Sequence, residues 1–93
     1  MEFEWDPTKA EVNLRKHGIA FGKAAQIFID PCRQEHPDTS EDYGEDRWLM
    51  LGRLDQTILA VVFTQREQRI RIISARRASI DEQRLYWNGY FPS

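Results

Sequence analysis

Two apolar segments joined by a short polar turn decide the fold of this chain: TILAVVFTQREQRIRIISARR, residues 57–77. The first of them, together with RWLMLGRL at residues 47–54, is apolar on both faces, as strands in the middle of a covered sheet are. LDQT and REQ, at the junctions between apolar segments, predict hairpin turns. Because consecutive hairpins reverse the chain direction, the sequence predicts an antiparallel sheet.

The N-terminal third predicts two helices. Asp6 stands at an N-cap position before Pro7, and Gly18 ends this helix after His17. The apolar spacing assigns to its inward face Ala10, Asn13, Leu14 and His17. A second helix is predicted from Phe21 to Phe28, because apolar residues recur there at the same spacing.

Two short strands and a further helix complete the predicted order of elements. FEW at residues 3–5 predicts a first strand, and residues 32–36 can hold another before an acidic loop. Ser79 and Glu82 have the capping-box spacing of a final helix that ends near Asn88. Its apolar residues do not align on one side, so this helix either leans on a partner or is loosely attached.

These elements predict an α+β fold: two N-terminal helices packed on an antiparallel sheet of about four strands, plus a C-terminal helix. We expect a single domain spanning residues 1–93, since this length suits one hydrophobic core.

The composition is that of a soluble globular protein. Hydrophobic residues make up 41% of the 93 residues and charged residues 30%, and no apolar run approaches the roughly 20 residues that span a bilayer. The N-terminus lacks the basic and apolar regions of a secretory signal. Cys32 is alone and cannot form an internal disulfide, which suits a reducing compartment. We therefore expect a cytoplasmic protein without membrane contact.

The net charge of -2 conceals two segments of opposite sign. The segment from Asp30 to Asp46 is strongly acidic, whereas the segment from Arg66 to Arg84 holds six arginines against three acids. Arginine binds phosphate through paired hydrogen bonds and stays charged at any relevant pH. The arginines therefore form either a phosphate-binding surface or ordinary surface ion pairs, and composition does not decide between them.

His17 is the candidate general acid or base. It ends the first predicted helix, where the helix dipole favours a cationic imidazole, and Asn13 one turn earlier can orient its ring. The structural alternative is a histidine packed against Trp5 or a strand.

The candidate anion site lies where the last predicted strand meets the final helix. Arg76 and Arg77 end that strand, and the free N–H groups of the helix N-terminus follow. Arg66, beside the neighbouring hairpin, is expected to reach the same region, and Tyr86 adds a hydroxyl. No spacing of histidine, cysteine and acidic residues is typical of a metal site, so we expect neither a metal nor another cofactor.

The residues resemble those of a known family. WDPTKAEVNLRKHGIAF at residues 5–21, then GEDRWLMLGRL at 44–54, LAVVFTQR at 59–66 and IRIISARRAS at 70–79, resemble the BrnT toxins of bacterial type II toxin–antitoxin modules. The resemblance runs through nearly the whole chain, and the acidic segment at residues 35–46 fits the pattern least.

The resemblance implies a RelE-like fold and a metal-independent ribonuclease that halts translation. It also implies a hetero-oligomer with a BrnA-type antitoxin, whose DNA-binding portion would bring the complex to operator DNA. In such an enzyme the arginines, Arg66, Arg76 and Arg77, would bind the phosphate. His17 would act as acid or base, with Tyr86 or Glu82 as a weaker second.

Two other functions are compatible with the same residues. The chain can be a catalytically inactive RNA- or protein-binding module on the same fold, because a fold does not determine an activity. Alternatively, it is a subunit whose arginine segment only docks an acidic partner. RNA cleavage in the presence of a chelator would distinguish the ribonuclease from both.

Overall fold

The hairpins predicted from residues 47–77 form the centre of the observed sheet. The computed structural model describes residues 1–38 and 45–90, without the side chain of Tyr90. Within these residues five strands form one sheet in the order β1–β5–β4–β3–β2. Their bounds are β1 Glu2–Glu4, β2 Gln34–Pro37, β3 Trp48–Leu54, β4 Thr57–Arg66 and β5 Arg69–Arg77. The helices are α1 Pro7–His17, α2 Phe21–Ala24, a 3₁₀ helix Ala25–Ile29 and α3 Ile80–Tyr90.

The α+β class is confirmed, and β2, β3, β4 and β5 pair antiparallel as predicted, but the sheet as a whole is mixed. The described residues hold five strands, and β1 pairs with β5 in parallel, with Phe3 opposite Ile70. No hairpin joins these two strands, so hairpin logic does not set their relative direction. Ion pairs support the pairing: the carboxylate of Glu4 lies 2.6 Å from the guanidinium of Arg71.

The two N-terminal helices cover one face of the sheet, as predicted. Phe21, Ile27 and Phe28 pack there against strand residues that include Met50 and Val61. The second helix is shorter than predicted, because α2 ends at Ala24 and continues as the 3₁₀ helix to Ile29. This tighter segment lies close to β3 at Gly52, where the backbone oxygen of Ile27 would be 3.0 Å from an added Cβ atom.

Helix α3 packs on the opposite face of the sheet. Tyr86 is 1% exposed and joins a second buried cluster with Leu51, Ile58 and Ala60. The side chain of Gln34 donates hydrogen bonds to two carbonyl oxygens of α3, those of Leu85 at 2.9 Å and Tyr86 at 3.0 Å. The helix is therefore firmly attached to this chain, and it extends past the predicted end near Asn88.

A β-bulge interrupts the pairing of β4 and β5. Phe63 lies opposite Ile72 and Val62 lies opposite Ser74, so Ile73 is an extra residue in β5. Since side chains alternate along a strand, every β5 residue after Ile73 lies on the face opposite to the one that strict alternation from Ile72 would give it. The predicted acidic loop falls mostly on residues 39–44, which lie outside the described residues, as does the end of the aromatic tail at residues 91–93.

Candidate functional site

Arg76 and Arg77, at the end of β5, lie on opposite faces of the sheet. Arg76 pairs with Ala60, which belongs to the cluster under α3, and Arg77 pairs with Leu59, which belongs to the core under α1 and α2. Paired residues share a face, so the two guanidinium groups start from opposite sides. The two arginines are therefore not placed to bind one anion side by side.

Arg76 is engaged by Glu82 in the first turns of α3. Its two terminal nitrogens lie 2.6 Å and 2.9 Å from the two carboxylate oxygens. The predicted capping box is confirmed, since Glu82 also accepts the backbone N–H of Ser79 at 2.8 Å and donates its own N–H to the Ser79 hydroxyl at 3.2 Å. The hydrogen bond from Arg76 is the main reason that the pKa of Glu82 falls to about 2. Arg76 thus joins β5 to α3.

Arg77 lies where two surface grooves meet, and it makes no ion pair with any described residue. The first, the lysine groove, has a volume of about 220 Å³ and lies between the α1–α2 turn and the β3–β4 turn, with Gly18, Lys23, Asp55 and Thr57 among its lining residues. The second, the tryptophan groove, has a volume of about 270 Å³ and is lined by Gln56, Thr57, Ile58, Arg77, Gln83 and Trp87. Arg77 is therefore placed to meet a ligand in either groove.

Arg66 lies at the other end of β4, beside the β4–β5 turn. It pairs with Arg69, whereas Arg76 pairs with Ala60. The six residue steps along β4 from Ala60 to Arg66 extend about 20 Å at the usual rise of a strand. Arg66 lines a separate groove of about 440 Å³ with Glu4, Glu67 and Arg69. The expectation that Arg66 reaches the same region as Arg76 and Arg77 is therefore wrong.

His17 ends α1, as predicted, and is half-buried. It lines a groove of about 280 Å³ between α1 and β5, together with Lys9, Lys16 and Ser74. The next residue, Gly18, has a positive φ of 71° that turns the chain, and it lines the lysine groove with Arg77. His17 thus lies one residue away from the wall of the groove that holds Arg77.

Asn13 has a different role from the one predicted. Its side chain donates to the backbone oxygen of Ala75 at 2.9 Å and accepts the backbone N–H of Ala75 at 3.0 Å. A third hydrogen bond runs from Asn13 to the backbone oxygen of Ile19 at 3.0 Å. Asn13 is therefore committed to β5 and the α1–α2 turn, so it does not orient the ring of His17.

Tyr86 is placed in the core rather than at a solvent-facing site. Its hydroxyl donates to the carboxylate of Asp30 at 2.6 Å, and the same carboxylate accepts the backbone N–H groups of Arg53 and Cys32. Burial, and then this hydrogen bond to Asp30, raise the pKa of Tyr86. Burial also acts to raise the pKa of Asp30, but the donated hydrogen bonds outweigh it and the net shift is downward. The pair ties α3 to the end of the 3₁₀ helix.

The structure therefore brings together a set that sequence reasoning only partly found. Arg77 was predicted, but Lys23, Thr57 and Gln83 were missed. They come from three separate elements, and no local motif links them to Arg77. Within residues 1–38 and 45–90, no three His, Cys, Asp or Glu side chains come together in a way that would hold a metal ion. None of the helices in the same described ranges has the length and hydropathy to span a bilayer.

Comparison with known protein families adds a decisive observation. Residues 5–82 match the family described as ribonuclease toxin, BrnT, of type II toxin–antitoxin system. The chain belongs to the BrnT family. The match covers 78 of 93 residues, from residue 5 to residue 82 inclusive, and it confirms the resemblance seen in the sequence. A search of curated proteins found no match. BrnT-family membership implies a ribonuclease toxin of a type II system, a class of protein that pairs with an antitoxin.

Proposed function

We propose that this chain is a metal-independent ribonuclease toxin that inhibits translation in the cytoplasm and is neutralised by a BrnA-type antitoxin. The toxin and antitoxin would form a hetero-oligomer that meets operator DNA through the antitoxin, and the toxin fold would be RelE-like, forming a single domain. Beside family membership, one observation supports the location of the site: the guanidinium of Arg77 is unpaired among the described residues and lies at the junction of two grooves.

The chemistry requires fixed positive charge at the phosphate and the transfer of two protons. The 2′-hydroxyl of RNA attacks the adjacent phosphorus, the bond to the 5′-oxygen breaks, and the products carry a 2′,3′-cyclic phosphate and a 5′-hydroxyl. A base must take the proton of the 2′-hydroxyl, and an acid must protonate the leaving 5′-oxygen. Fixed cations stabilise the charge that accumulates on the phosphorane.

Arg77 and Lys23 are the proposed cations, since both line the lysine groove. Arginine is a poor base because it does not lose its proton, so it serves to bind and stabilise the phosphate. His17 is the proposed acid or base because of its chemistry; it is adjacent in sequence to Gly18, which lines the lysine groove, while His17 itself lines the groove between α1 and β5. Arg76 acts through Glu82 as a positioning residue that fixes the end of β5. Tyr86 has no part in this proposal, because its hydroxyl is donated to Asp30 in the core.

The arginine assignment is tested with two matched substitutions, Arg77→Ala and Arg66→Ala. Both arginines are exposed at strand ends and make no ion pair with a described residue. Purified protein is incubated with RNA and EDTA, and the products are examined for 2′,3′-cyclic phosphate ends. We expect Arg77→Ala to reduce cleavage about 100-fold or more, and Arg66→Ala to retain it. Equal loss in both variants would contradict the proposed site.

The histidine assignment has its own control, because the chain has a second histidine. His36 lies on β2, with a ring nitrogen 3.1 Å from the side-chain oxygen of Gln34. We expect His17→Ala to reduce cleavage by about 10²- to 10⁴-fold and His36→Ala to leave it unchanged. Full activity in His17→Ala would remove the histidine from the mechanism while leaving the role of Arg77 intact.

The alternative functions predict different results in the same assay. A catalytically inactive module would bind RNA in a salt-sensitive manner without any cleavage. A subunit that only docks an acidic partner would show no RNA affinity. Growth arrest on induction of this chain, reversed by co-expression of the neighbouring gene, tests the toxin–antitoxin relationship.

A further inference from the structure

The tryptophan groove combines an aromatic wall, an apolar floor and polar edges. Trp87 is 37% exposed, and its ring meets that of Tyr86 edge-to-face with centroids 5.1 Å apart. Ile58, which is 5% exposed, forms the apolar floor. Arg77 stands at the rim, where this groove meets the lysine groove. A ligand for such a site has a flat apolar body, a polar edge and a neighbouring anion.

The polar groups of this groove have unused hydrogen-bonding capacity. The side-chain nitrogen of Gln83 donates to the backbone oxygen of Ala78 at 3.1 Å, which fixes the amide. The carbonyl oxygen of the same amide accepts no hydrogen bond from the described residues, and neither Gln56 nor Thr57 makes a side-chain hydrogen bond within them. A fixed acceptor and two adaptable groups therefore line the space beside Trp87.

The walls of the groove are held in place by contacts on both sides. Helix α3, which carries Gln83 and Trp87 one turn apart, is anchored by the pairs Arg76–Glu82 and Tyr86–Asp30. The backbone N–H of Ala78 donates to the oxygen of Ile58 at 2.9 Å and joins the start of α3 to β4. A groove built in this way can discriminate between ligands, because its walls and the amide of Gln83 are held in place.

From these features we infer that the tryptophan groove is a nucleobase subsite of the proposed ribonuclease. The base next to the phosphate at Arg77 stacks on Trp87, and its hydrogen-bonding edge faces Gln83, Gln56 and Thr57. This inference rests on the proposed function and adds to it: Arg77 holds the phosphate, and the groove selects which nucleotide lies beside it. The volume of about 270 Å³ lies at the small end of ligand sites, which suits one base.

Substitutions at two positions separate stacking from base reading. Trp87→Ala removes the aromatic wall, and we expect it to weaken binding of a non-cleavable 2′-deoxy oligonucleotide by about 5- to 100-fold. Trp87→Phe keeps an aromatic face and should restore part of that affinity. Gln83→Met keeps the side-chain length but removes the fixed acceptor, so we expect it to change which nucleotides flank the cleavage sites in a mixed-sequence RNA.

The matched control for Gln83→Met is Gln68→Met in the β4–β5 turn at the far end of the sheet, which should leave the cleavage pattern unchanged. An unchanged pattern in Gln83→Met, with unchanged oligonucleotide affinity in folded Trp87→Phe and Trp87→Ala, would overturn the inference. So would the finding that these variants lose only antitoxin binding. If the wild-type chain itself neither binds nor cleaves RNA, the proposed function fails, and that result is distinguishable from failure of the subsite alone.

Discussion

At the scale of single residues, the carboxamide of Asn13 closes the outer edge of β5. Strand β1 pairs with β5 at residues 69–71 and then ends, so the next part of β5 has no neighbouring strand on that side. Asn13 supplies both a donor and an acceptor to Ala75, as a paired strand would. An exposed strand edge invites unwanted pairing, and Asn13 covers this one from within the chain.

Asn13→Ala should destabilise the fold by about 2–3 kcal/mol, because it leaves the buried N–H and C=O groups of Ala75 without partners. Asn13→Asp should be at least as harmful, since a carboxylate cannot donate to either carbonyl oxygen. The free energy of unfolding from urea titration measures both effects. The control is Asn88→Ala on the exposed part of α3, which should lie within about 0.5 kcal/mol of the wild type. A small effect in Asn13→Ala would contradict the role in edge closure.

Local signals predicted single residues well only where the partner lies close in sequence. The capping box of Ser79 and Glu82 was found because its two members are three residues apart. The apolar spacing of α1 put Asn13 on the inward face, yet its partner Ala75 is 62 residues away. The same limit explains Leu14, which was predicted to face inward and is 48% exposed.

At the scale of elements, Glu82 links the end of β5 to the start of α3. Its pKa is about 2 in the folded chain, against 4.5 when it is unperturbed. A lowered pKa means that the ionised group stabilises the folded state above pH 4.5, and that this contribution is lost as the pH falls towards 2.

We therefore expect Glu82→Gln to lower the free energy of unfolding by about 1 kcal/mol at pH 7, a modest value because the pair with Arg76 is partly solvent-screened. The difference from the wild type should shrink as the pH falls from 4.5 towards 2. Urea titrations across this range measure it. Asp81→Asn is the control, because Asp81 faces solvent and lies 3.7 Å from Arg84. A difference that stays constant with pH would contradict the assignment.

The contact between the 3₁₀ helix and β3 depends on Gly52. A Cβ atom at this position would lie 2.6 Å from the Cβ of Ile27, so Gly52→Ala forces the two elements apart. We expect a loss of about 1–3 kcal/mol in thermal or chemical unfolding. Gly22→Ala is the matched control, because nothing lies within 4 Å of the added atom and alanine favours a helix. That variant should be neutral or slightly stabilised, and equal losses in both would refute the contact.

The existence of most elements was predictable, and their partners were less so. Caps and turns are local, so the ends of α1 and the two hairpins were recognised. The sequence of α3 does not show that this helix packs on the second face of the sheet. Among the described residues of α3, Tyr86 is the single large residue buried there, so no apolar stripe marks the contact. The hydrogen bonds that complete the contact involve Gln34 and Asp30, which lie far from α3 in the sequence.

At the scale of the whole molecule, the arginines divide between two ends of the sheet. Arg66 and Arg69 lie at the β4–β5 turn, where carboxylates such as Glu4 and Glu67 share their groove. Arg77 lies at the other end with Lys23. The β4–β5 hairpin alone separates them, because Arg66 lies at its turn and Arg77 lies at the far end of β5, so the predicted order of elements already implied this separation.

Because the arginines lie at two ends of the sheet, we expect substitutions at the two ends to change the salt dependence of RNA binding differently. Each phosphate contact to single-stranded nucleic acid adds about 0.7 to the slope of log affinity against log salt concentration. We expect Arg77→Ala to reduce the slope by about that amount and Arg66→Ala to leave it unchanged, as measured with 2′-deoxy oligonucleotides over 50–200 mM salt. A change in the slope for Arg66→Ala would place RNA at both ends.

The extra residue in β5, Ile73, decides which arginine remains available. If side chains alternated strictly after Ile72, Arg76 would lie on the face of the sheet that α1 and α2 cover, and Arg77 would lie on the face that α3 covers. Deleting Ile73 would remove the bulge and leave both pairings as they are, Arg76 with Ala60 and Arg77 with Leu59, so each guanidinium group would keep its face. If the chain kept every residue of β5 but lost the bulge, Arg76 would fall opposite Leu59 and the ligand-facing charge would move to the other arginine, so one irregular position in the ladder fixes the orientation of the proposed site.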